Sequence, residues 1–168
     1  MSKNSQDVTI GNPQERRLFK IGYILGLIDG EGNLGLRSFK QVSGDVNYSP
    51  ILQVACTDYR IIYKFAEYMD DLGFAVYLCK AKGQKGHKDS LRFLLKGMKR
   101  MEPILTLLLK YPFAKHKQAE ILKQFIDYRK SDLKKHPYGK VEKSFKEKMT
   151  DLNRKGRVES SETIRLTV

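Results

Sequence analysis

The sequence has no tryptophan, only two cysteines and few prolines, and no apolar run approaches the roughly 18 residues that a membrane-spanning helix needs. The two cysteines, Cys56 and Cys79, form neither a disulfide framework nor a zinc knuckle, so we interpret both as reduced packing residues. The first residues, Met1–Gln6, lack the apolar core of a signal peptide. We therefore expect an intracellular protein, either in the cytoplasm of a prokaryote or in an organelle.

Acidic residues are also scarce, and this leaves the chain strongly basic. Its 168 residues include 32 Lys and Arg against 19 Asp and Glu, which gives a formal net charge of +13. Such a balance favours a polyanionic partner, with nucleic acid as the first candidate and an acidic membrane surface as the alternative. The length suits a single domain that buries a substantial core.

Glycines at helical spacing lead directly into two acidic residues. Gly22, Gly26 and Gly30 lie four residues apart and therefore share one face of an α-helix. Each costs about 1 kcal/mol relative to alanine, and close approach of a second helix would explain three in register. Two such helices would bring together two copies of Asp29 and Glu31 as a metal site. The alternative is an ordinary buried helix that ends in an acidic turn.

The segment Ile24–Gly32, ILGLIDGEG, closely resembles the signature of the LAGLIDADG homing endonucleases. The resemblance implies an α+β fold of order αββαββα, with a curved antiparallel sheet, helices on one of its faces, and double-stranded DNA as the partner. One departure is Glu31, where the family usually has Asp, but Glu is also an oxygen ligand for hard cations. Only one motif is present, so the resemblance implies a homodimer that reads a long, nearly palindromic site. Its interface would include Gly22, Gly26 and Asp29.

The hydrophobic periodicity predicts the same order of elements. The first helix would carry an apolar stripe of Leu18, Ile21, Leu25 and Ile28 and would end at Gly30 and Gly32. We treat residues 1–168 as one domain, with a polar lead over 1–12 and a basic helical extension over 129–168. The predicted elements are a helix over 14–29, strands over 33–40 and 47–56 with an irregular or edge position at Pro50, a helix from the N-cap Thr57 or Asp58 to Gly73, strands over 75–80 and 90–96, and helices over 98–109 and 114–128.

The resemblance also assigns candidate catalytic residues. Glu31 matches the family's metal ligand, and the carbonyl of Gly30 would assist it, whereas Asp29 matches an acid that more often serves the helix end and the interface. Mg²⁺ is the implied cofactor, with Mn²⁺ as a substitute and Ca²⁺ as an ion that binds without supporting cleavage. The segment Ala114–Ala119 resembles the family's Lys-x-Lys-Gln-Ala helix start, so Lys115 would approach the scissile phosphate. A solvated lysine at a helix start is the alternative.

Polar active-site residues near the end of the second strand are harder to assign. The position that is usually polar in the family falls on Cys56 or Thr57, because a shift of one residue reverses the face of every strand residue. Arg60 is the nearest cation for the catalytic site, and a salt-bridged surface arginine is the alternative.

The outward sheet face is a mixture of polar, basic and aromatic residues suited to direct readout in the major groove. Arg37 and Arg92 are the leading candidates for reading bases, and the lysines would hold phosphates. A solvated sheet face is the alternative for each of them. The loop 154–157 would clamp the DNA backbone by analogy with the family. The predicted DNA-binding residues are Asn33, Arg37, Phe39, Gln41, Asn47, Ser49, Gln53, Lys80, Lys82, Arg92, Lys155 and Arg157.

These features predict a Mg²⁺-dependent, site-specific double-strand DNA homing endonuclease. A splicing maturase or DNA-binding regulator that keeps the fold without cleavage is one alternative. A general basic RNA-binding or ribosome-associated protein is another, and it would bind with steep salt dependence and little sequence preference.

Overall fold

The computed structural model describes residues 11–83, 85–131 and 139–155, in which five helices accompany one four-stranded sheet. The order of the elements agrees with the order predicted from the sequence. The elements are α1 (Pro13–Glu31), β1 (Gly32–Lys40), β2 (Val46–Cys56), α2 (Tyr59–Asp71), β3 (Leu78–Ala81), β4 (Ser90–Lys96), α3 (Met98–Leu108), α4 (His116–Ser131) and α5 (Lys140–Lys155).

A complete capping box begins α1. The Asn12 side chain accepts hydrogen bonds from the backbone N–H groups of Gln14 and Glu15, and the Glu15 carboxylate accepts one from the backbone N–H of Asn12. Pro13 occupies the first turn, where a missing N–H costs nothing. The start of the signature helix is therefore fixed by local chemistry.

The end and the buried stripe of α1 differ from the prediction. The helix passes through Gly30 and ends at Glu31, so Gly30 does not terminate it. Ile24 is completely buried, whereas Leu18 is 48% exposed. Ile21 and Ile28 of the predicted stripe are buried and Leu25 packs against the core, so the prediction is wrong at Leu18 and lacks Ile24. Glu31 consequently lies on the last helical turn, directly before β1.

The sheet is antiparallel with the strand order β1-β2-β4-β3. Pro50 lies just beyond the pairing of β2 with β4, which starts at Ile51 opposite Lys96, so no N–H is required of it on that side. One face of the sheet packs against the helices, and its central residues are at most 3% exposed. They are Leu34, Leu36, Leu52, Val54, Leu91, Phe93 and Leu95.

Strand β3 is shorter than predicted. Gly73 follows α2 with a φ of +81°, a conformation that favours glycine, and the ladder starts only at Leu78. Upstream of it, the carbonyl of Tyr77 accepts a hydrogen bond from the N–H of Leu94 at 2.9 Å. The register pairs Lys80 with the buried Leu91, and cross-strand partners point to the same face. Lys80 is therefore on the helix side of the sheet, where it is exposed, and its predicted contact with a DNA phosphate stays a prediction.

Helix α5 is attached to α4 by a buried ion pair. Arg129 on α4 donates to the Glu142 carboxylate at 2.7 Å, and the two side chains are 12% and 4% exposed. Burial raises the pKa of Glu142, but hydrogen bonds from the N–H groups of Gly139 and Glu142 and from Arg129 outweigh burial and hold the pKa below its usual range. Met149, about two turns farther along the helix, is also buried. This part of the predicted C-terminal extension is a packed helix.

We expect Glu142→Gln to lower the free energy of unfolding by about 3 kcal/mol, because it removes the charge of one member of a buried ion pair. The depressed pKa of Glu142 gives stability that is present above its unfolded pKa and is lost as the pH falls through its folded pKa. Urea unfolding at several pH values checks both effects. Glu147→Gln, on an exposed face of the same helix, is the control; equal stability of the two variants would contradict the prediction.

In the described part of the chain, no helix is long and apolar enough to cross a membrane.

Candidate active site and nucleic-acid interface

Asp29 connects the end of α1 to the start of α4. Its carboxylate oxygens accept hydrogen bonds from the backbone N–H groups of Ala114 at 2.9 Å and Lys115 at 3.2 Å. The N–H groups at a helix start have no partner within the helix, and a carboxylate is their preferred acceptor. Asp29 therefore holds the end of α1 against the start of α4, and its predicted place at a dimer interface stays a prediction.

Lys115 makes the reciprocal connection. Its ammonium donates to the carbonyl oxygens of Ile28 and Asp29, both at 2.6 Å, and so caps the last turn of α1. Burial lowers the pKa of Lys115, while the charges of Asp29 and Glu31 act in the opposite direction. The ammonium thus lies within the field of both acids of the signature. Two of its three N–H groups are used, which leaves one donor for a ligand.

Glu31 and the carbonyl of Gly30 are left with open oxygen atoms at the end of α1. The carbonyl of Ile28 accepts from the N–H of Gly32 as well as from Lys115, whereas no capping hydrogen bond within the described residues reaches the carbonyl of Gly30. The Glu31 side chain is exposed and has no ion-pair partner in the same residues. The contacts thus occupy the carbonyls of Ile28 and Asp29 and leave the Gly30 carbonyl and the Glu31 carboxylate available to a ligand.

These donors fit a magnesium ion. Mg²⁺ binds through one or two carboxylates together with phosphate oxygens and water, and does not require a cage of protein ligands. The described residues contain no group of three or more His, Cys, Asp or Glu side chains that could hold a metal. One chain therefore offers one carboxylate and one carbonyl here, as a site shared with a second chain and a nucleic acid would require.

We expect Asp29→Ala to lower the free energy of unfolding by about 2 kcal/mol, because it removes a charged acceptor from two backbone N–H groups. Asp29→Asn should cost less, since its amide oxygen still accepts one of the two bonds. Urea denaturation followed by circular dichroism measures both. An Asp29→Ala protein as stable as the parent would show that the two hydrogen bonds contribute nothing to the junction.

The predicted cationic helper on α2 is engaged locally. Arg60 makes a two-point contact with Asp58, with Nε to Oδ1 at 3.0 Å and Nη2 to Oδ2 at 2.8 Å, and its side chain is 90% exposed. Asp58 is also the N-cap of α2, whereas Thr57 is an exposed bend residue. Cys56 ends β2 and lies near Tyr23 of α1, whose pKa is raised by burial and to a smaller extent by the charge of Cys56. The described geometry corresponds to the salt-bridged alternative for Arg60, and its catalytic role stays a prediction.

The glycine face of α1 is open. Gly22, Gly26 and Gly30 are exposed, and a Cβ atom built on any of them would meet nothing within 4 Å. Leu18 and Phe19 adjoin this face and are 48% and 49% exposed. The described part of the chain therefore supplies no helix that explains the stripe, and the apolar surface beside it is uncovered.

The sheet presents its second face away from the core, as the alternation predicted. The register places Asn33 opposite Gln53, Arg37 opposite Ser49 and Phe39 opposite Asn47 on this open sheet face. Gly35 and Ile51 also belong to it, but both are buried. The accessible side chains are those of Asn33, Arg37, Phe39, Asn47, Ser49 and Gln53.

The second strand pair adds Arg92 and an aromatic residue that sequence reasoning missed. Arg92 lies between Ala55 and Cys79 in the register, and its Nε is buried without a hydrogen-bond partner among the described residues. Tyr77 pairs through its carbonyl with Leu94 and is 60% exposed. Its alternation with Cys79 was the signal that could have identified it.

Other predicted DNA-binding residues lie at the periphery. Gln41 belongs to the β1–β2 turn, where its N–H donates to the carbonyl of Asp45, and Lys82 is exposed just after β3. Lys155 is the last residue of α5, so the predicted clamp loop does not begin at residue 154. Arg157 lies outside the described residues. The helix continues past the predicted start of the loop, and Asn153 near its end donates to the carbonyl of Leu34 at 3.3 Å.

Solved structures of homing endonucleases are similar to this chain over most of its length. I-CvuI, in complex with its target in the presence of 2 mM Ca, is 16% identical, with a TM-score of 0.57 over 91% of this chain and 89% of its own. The archaeal intron-encoded enzyme I-Vdi141I, complexed with DNA, is 16% identical, with a TM-score of 0.57 over 89% of each chain. The LAGLIDADG enzyme I-LtrWI, bound to target DNA, is 15% identical, with a TM-score of 0.55 over 92% of this chain and 47% of its own. No protein-family model and no curated protein sequence matches the chain significantly.

Proposed function

We propose that this chain, whose fold is that of the LAGLIDADG homing endonucleases, is a site-specific double-strand DNA endonuclease that acts as a homodimer. The observation that carries the proposal is the end of α1. There, the acidic Glu31, the half-buried ammonium of Lys115 and an uncovered glycine face occur together. The neighbours solved with DNA and the net charge of +13 agree with a DNA partner.

The glycine face supports assembly through α1. Helices approach closely where small residues recur four apart, and the three glycines leave room for the backbone of a second helix. The exposed Leu18 and Phe19 would be buried in the same contact. Related by a two-fold axis, two α1 helices would place one Glu31 from each subunit on either side of that axis.

The divalent ion would be Mg²⁺, held by Glu31 and the Gly30 carbonyl, and it would neutralise phosphate charge and activate water for phosphodiester hydrolysis. Lys115 would donate its remaining N–H towards the phosphate, while its other two bonds hold it against α1. Asp29 would act as a positioning residue, because it fixes the start of α4, where Lys115 lies. Each subunit would attack one strand.

The open sheet face would lie in the major groove. Its strands advance about 6.6 Å for every second residue, close to the rise of two base pairs, so successive outward side chains can reach successive base pairs. Asn33 and Gln53 lie opposite each other in the register and offer amides that can pair with adenine. Arg92 offers a guanidinium that can pair with guanine, and its partnerless Nε would gain an acceptor there.

Cleavage of a randomised duplex library with Mg²⁺, followed by sequencing of the cut ends, tests this function. We expect enrichment of one long site with nearly palindromic halves and matching cuts on both strands. Retention of the same site without cutting would favour the maturase or regulator alternative. Binding without any enriched sequence would favour a general nucleic-acid-binding protein and reject the endonuclease.

A further inference from the structure

We infer that the cleft between β1 and α5 is a binding site for one phosphate of the DNA backbone, with Arg37 and Lys146 as its cationic ligands. The inference rests on the proposed function and adds to it a DNA contact from the middle of α5. The sequence predicted DNA contacts only near the end of this helix, at Lys155 and Arg157. It also gives Arg37 a different role from the base readout predicted above.

The cleft has a volume of about 240 Å³ and opens where α5 runs beside the open sheet face. Asn33, Arg37 and Ser38 of β1 form one wall, and Lys146 and Thr150 of α5 belong to the other. None of the described residues that line it is acidic. A polar cleft with two cations and no carboxylate is electrostatically suited to an anion.

The two cations have no neutralising partner among the residues that the structure describes. Across the described ranges, the side chains of Arg37 and Lys146 take part in no ion pair, hydrogen bond or ring contact. Other cations on the helices are paired, as in Lys20–Asp71, Lys64–Glu67 and Lys130–Glu102. Two like charges across one cleft repel each other, and a shared phosphate would convert that repulsion into two charge-assisted contacts.

The wall formed by α5 is held in place. Asn153 donates to the carbonyl of Leu34, the buried Met149 packs into the core, and the Arg129–Glu142 pair attaches the start of the helix. The Thr150 hydroxyl donates its hydrogen bond within α5, to the carbonyl of Lys146. The ammonium of Lys146 is therefore the side-chain donor that this wall offers to an anion. Lys146 is therefore presented from a fixed helix beside the sheet, at the side of the groove-facing strands where a DNA backbone would pass.

The direction of Arg37 fits the same assignment. Arg37 lies opposite Ser49 on β1, the outermost strand of the sheet on the side of α5. Ser38, beside it in the cleft, and Lys146 on the opposite wall offer further donors to a phosphate. A phosphate contact fixes the position of the protein on the duplex and carries no sequence information.

The test is the salt dependence of binding by the full chain to its selected duplex and to a scrambled duplex. Loss of one phosphate contact lowers the slope of log K against log salt by about 0.9, hence by about 1.8 per homodimer. We expect Lys146→Ala and Arg37→Ala each to weaken binding to both duplexes alike. The ratio of the parent's affinity to the variant's should fall about tenfold between 50 and 200 mM salt. The double variant should lose no more slope than one shared phosphate allows.

Lys148→Ala is the matched control. Lys148 lies two residues farther along α5, against the ring of Phe145 and in the groove with α4, and Asp151 lines that groove. It should leave the salt slope unchanged. An unchanged slope in Lys146→Ala, or a relaxed preference at one base pair with an unchanged slope in Arg37→Ala, would overturn the site while leaving the endonuclease proposal intact. A parent protein that binds no DNA would overturn both.

Discussion

Replacing Glu31 with glutamine is expected to abolish DNA cleavage while the protein still binds its site. The substitution keeps the size of the side chain and removes the carboxylate charge from the end of α1. A metal that polarises phosphate supplies several kcal/mol to the transition state, so we expect the cleavage rate to fall at least about 100-fold. Single-turnover cleavage in Mg²⁺ and a binding assay in Ca²⁺ measure the two properties separately.

Two controls sharpen this experiment. Glu31→Asp keeps a carboxylate, and aspartate is the usual acid of the resembled signature, so it should retain cleavage. Glu31 is exposed and has no ion-pair partner among the described residues, so Glu31→Gln should unfold at nearly the same urea concentration as the parent. Undiminished cleavage by Glu31→Gln would remove Glu31 from the metal site.

Charge and geometry give Asp29 and Glu31 different roles although they lie two residues apart. Asp29 is occupied by the N–H groups of Ala114 and Lys115 and acts on the protein itself. Glu31 is exposed, and its carboxylate has no ion-pair partner among the described residues. The division follows from the helix, because residues two apart lie about 200° apart around its axis. A signature that reads as two equivalent acids therefore folds into one anchor and one available ligand.

Periodicity predicted the strands well, since alternation along β1, β2 and β4 separates a buried face from an open one. It predicted the bounds of β4 and placed Leu34, Leu36, Leu52 and Val54 in the core. It failed where a tertiary contact decides the outcome. Gly30 stays helical in the turn whose carbonyls Lys115 caps, a contact between residues more than 80 positions apart.

The sequence also did not predict which side of the sheet the residues of short or isolated segments would occupy. Strand β3 starts at Leu78, three residues later than predicted, and its register pairs Lys80 with Leu91 on the helix side of the sheet, which the local sequence did not indicate. The apolar residues of the C-terminal region correctly predicted that α5 packs against the core. Nothing in its local sequence, however, indicated that Lys146 would lie beside Arg37, which is more than 100 positions earlier. The resemblance identified Lys115 as an active-site residue, but only the structure places its ammonium on the carbonyls of Ile28 and Asp29.

Introducing leucine at Gly26 is expected to separate the subunits without unfolding them. A Cβ at Gly26 meets nothing within 4 Å inside the chain, and replacing glycine in a helix favours the helix by up to about 1 kcal/mol. The added side chain would instead occupy the space into which the partner's α1 must fit. We expect a monomer in sedimentation, a free energy of unfolding of the isolated chain no lower than before, and loss of double-strand cleavage.

Gly26→Ala and Asp70→Leu complete this design. Alanine adds one methyl group to the same face, so it should weaken the dimer less than leucine does. Asp70 is exposed on α2, and its replacement tests whether one more exposed leucine on another helix alters assembly by itself. If the Gly26→Leu protein remained a dimer with full activity, α1 would not be the interface, and the three glycines would need another explanation. If it were instead a well-folded monomer that cuts neither strand, each active site would need residues from both chains.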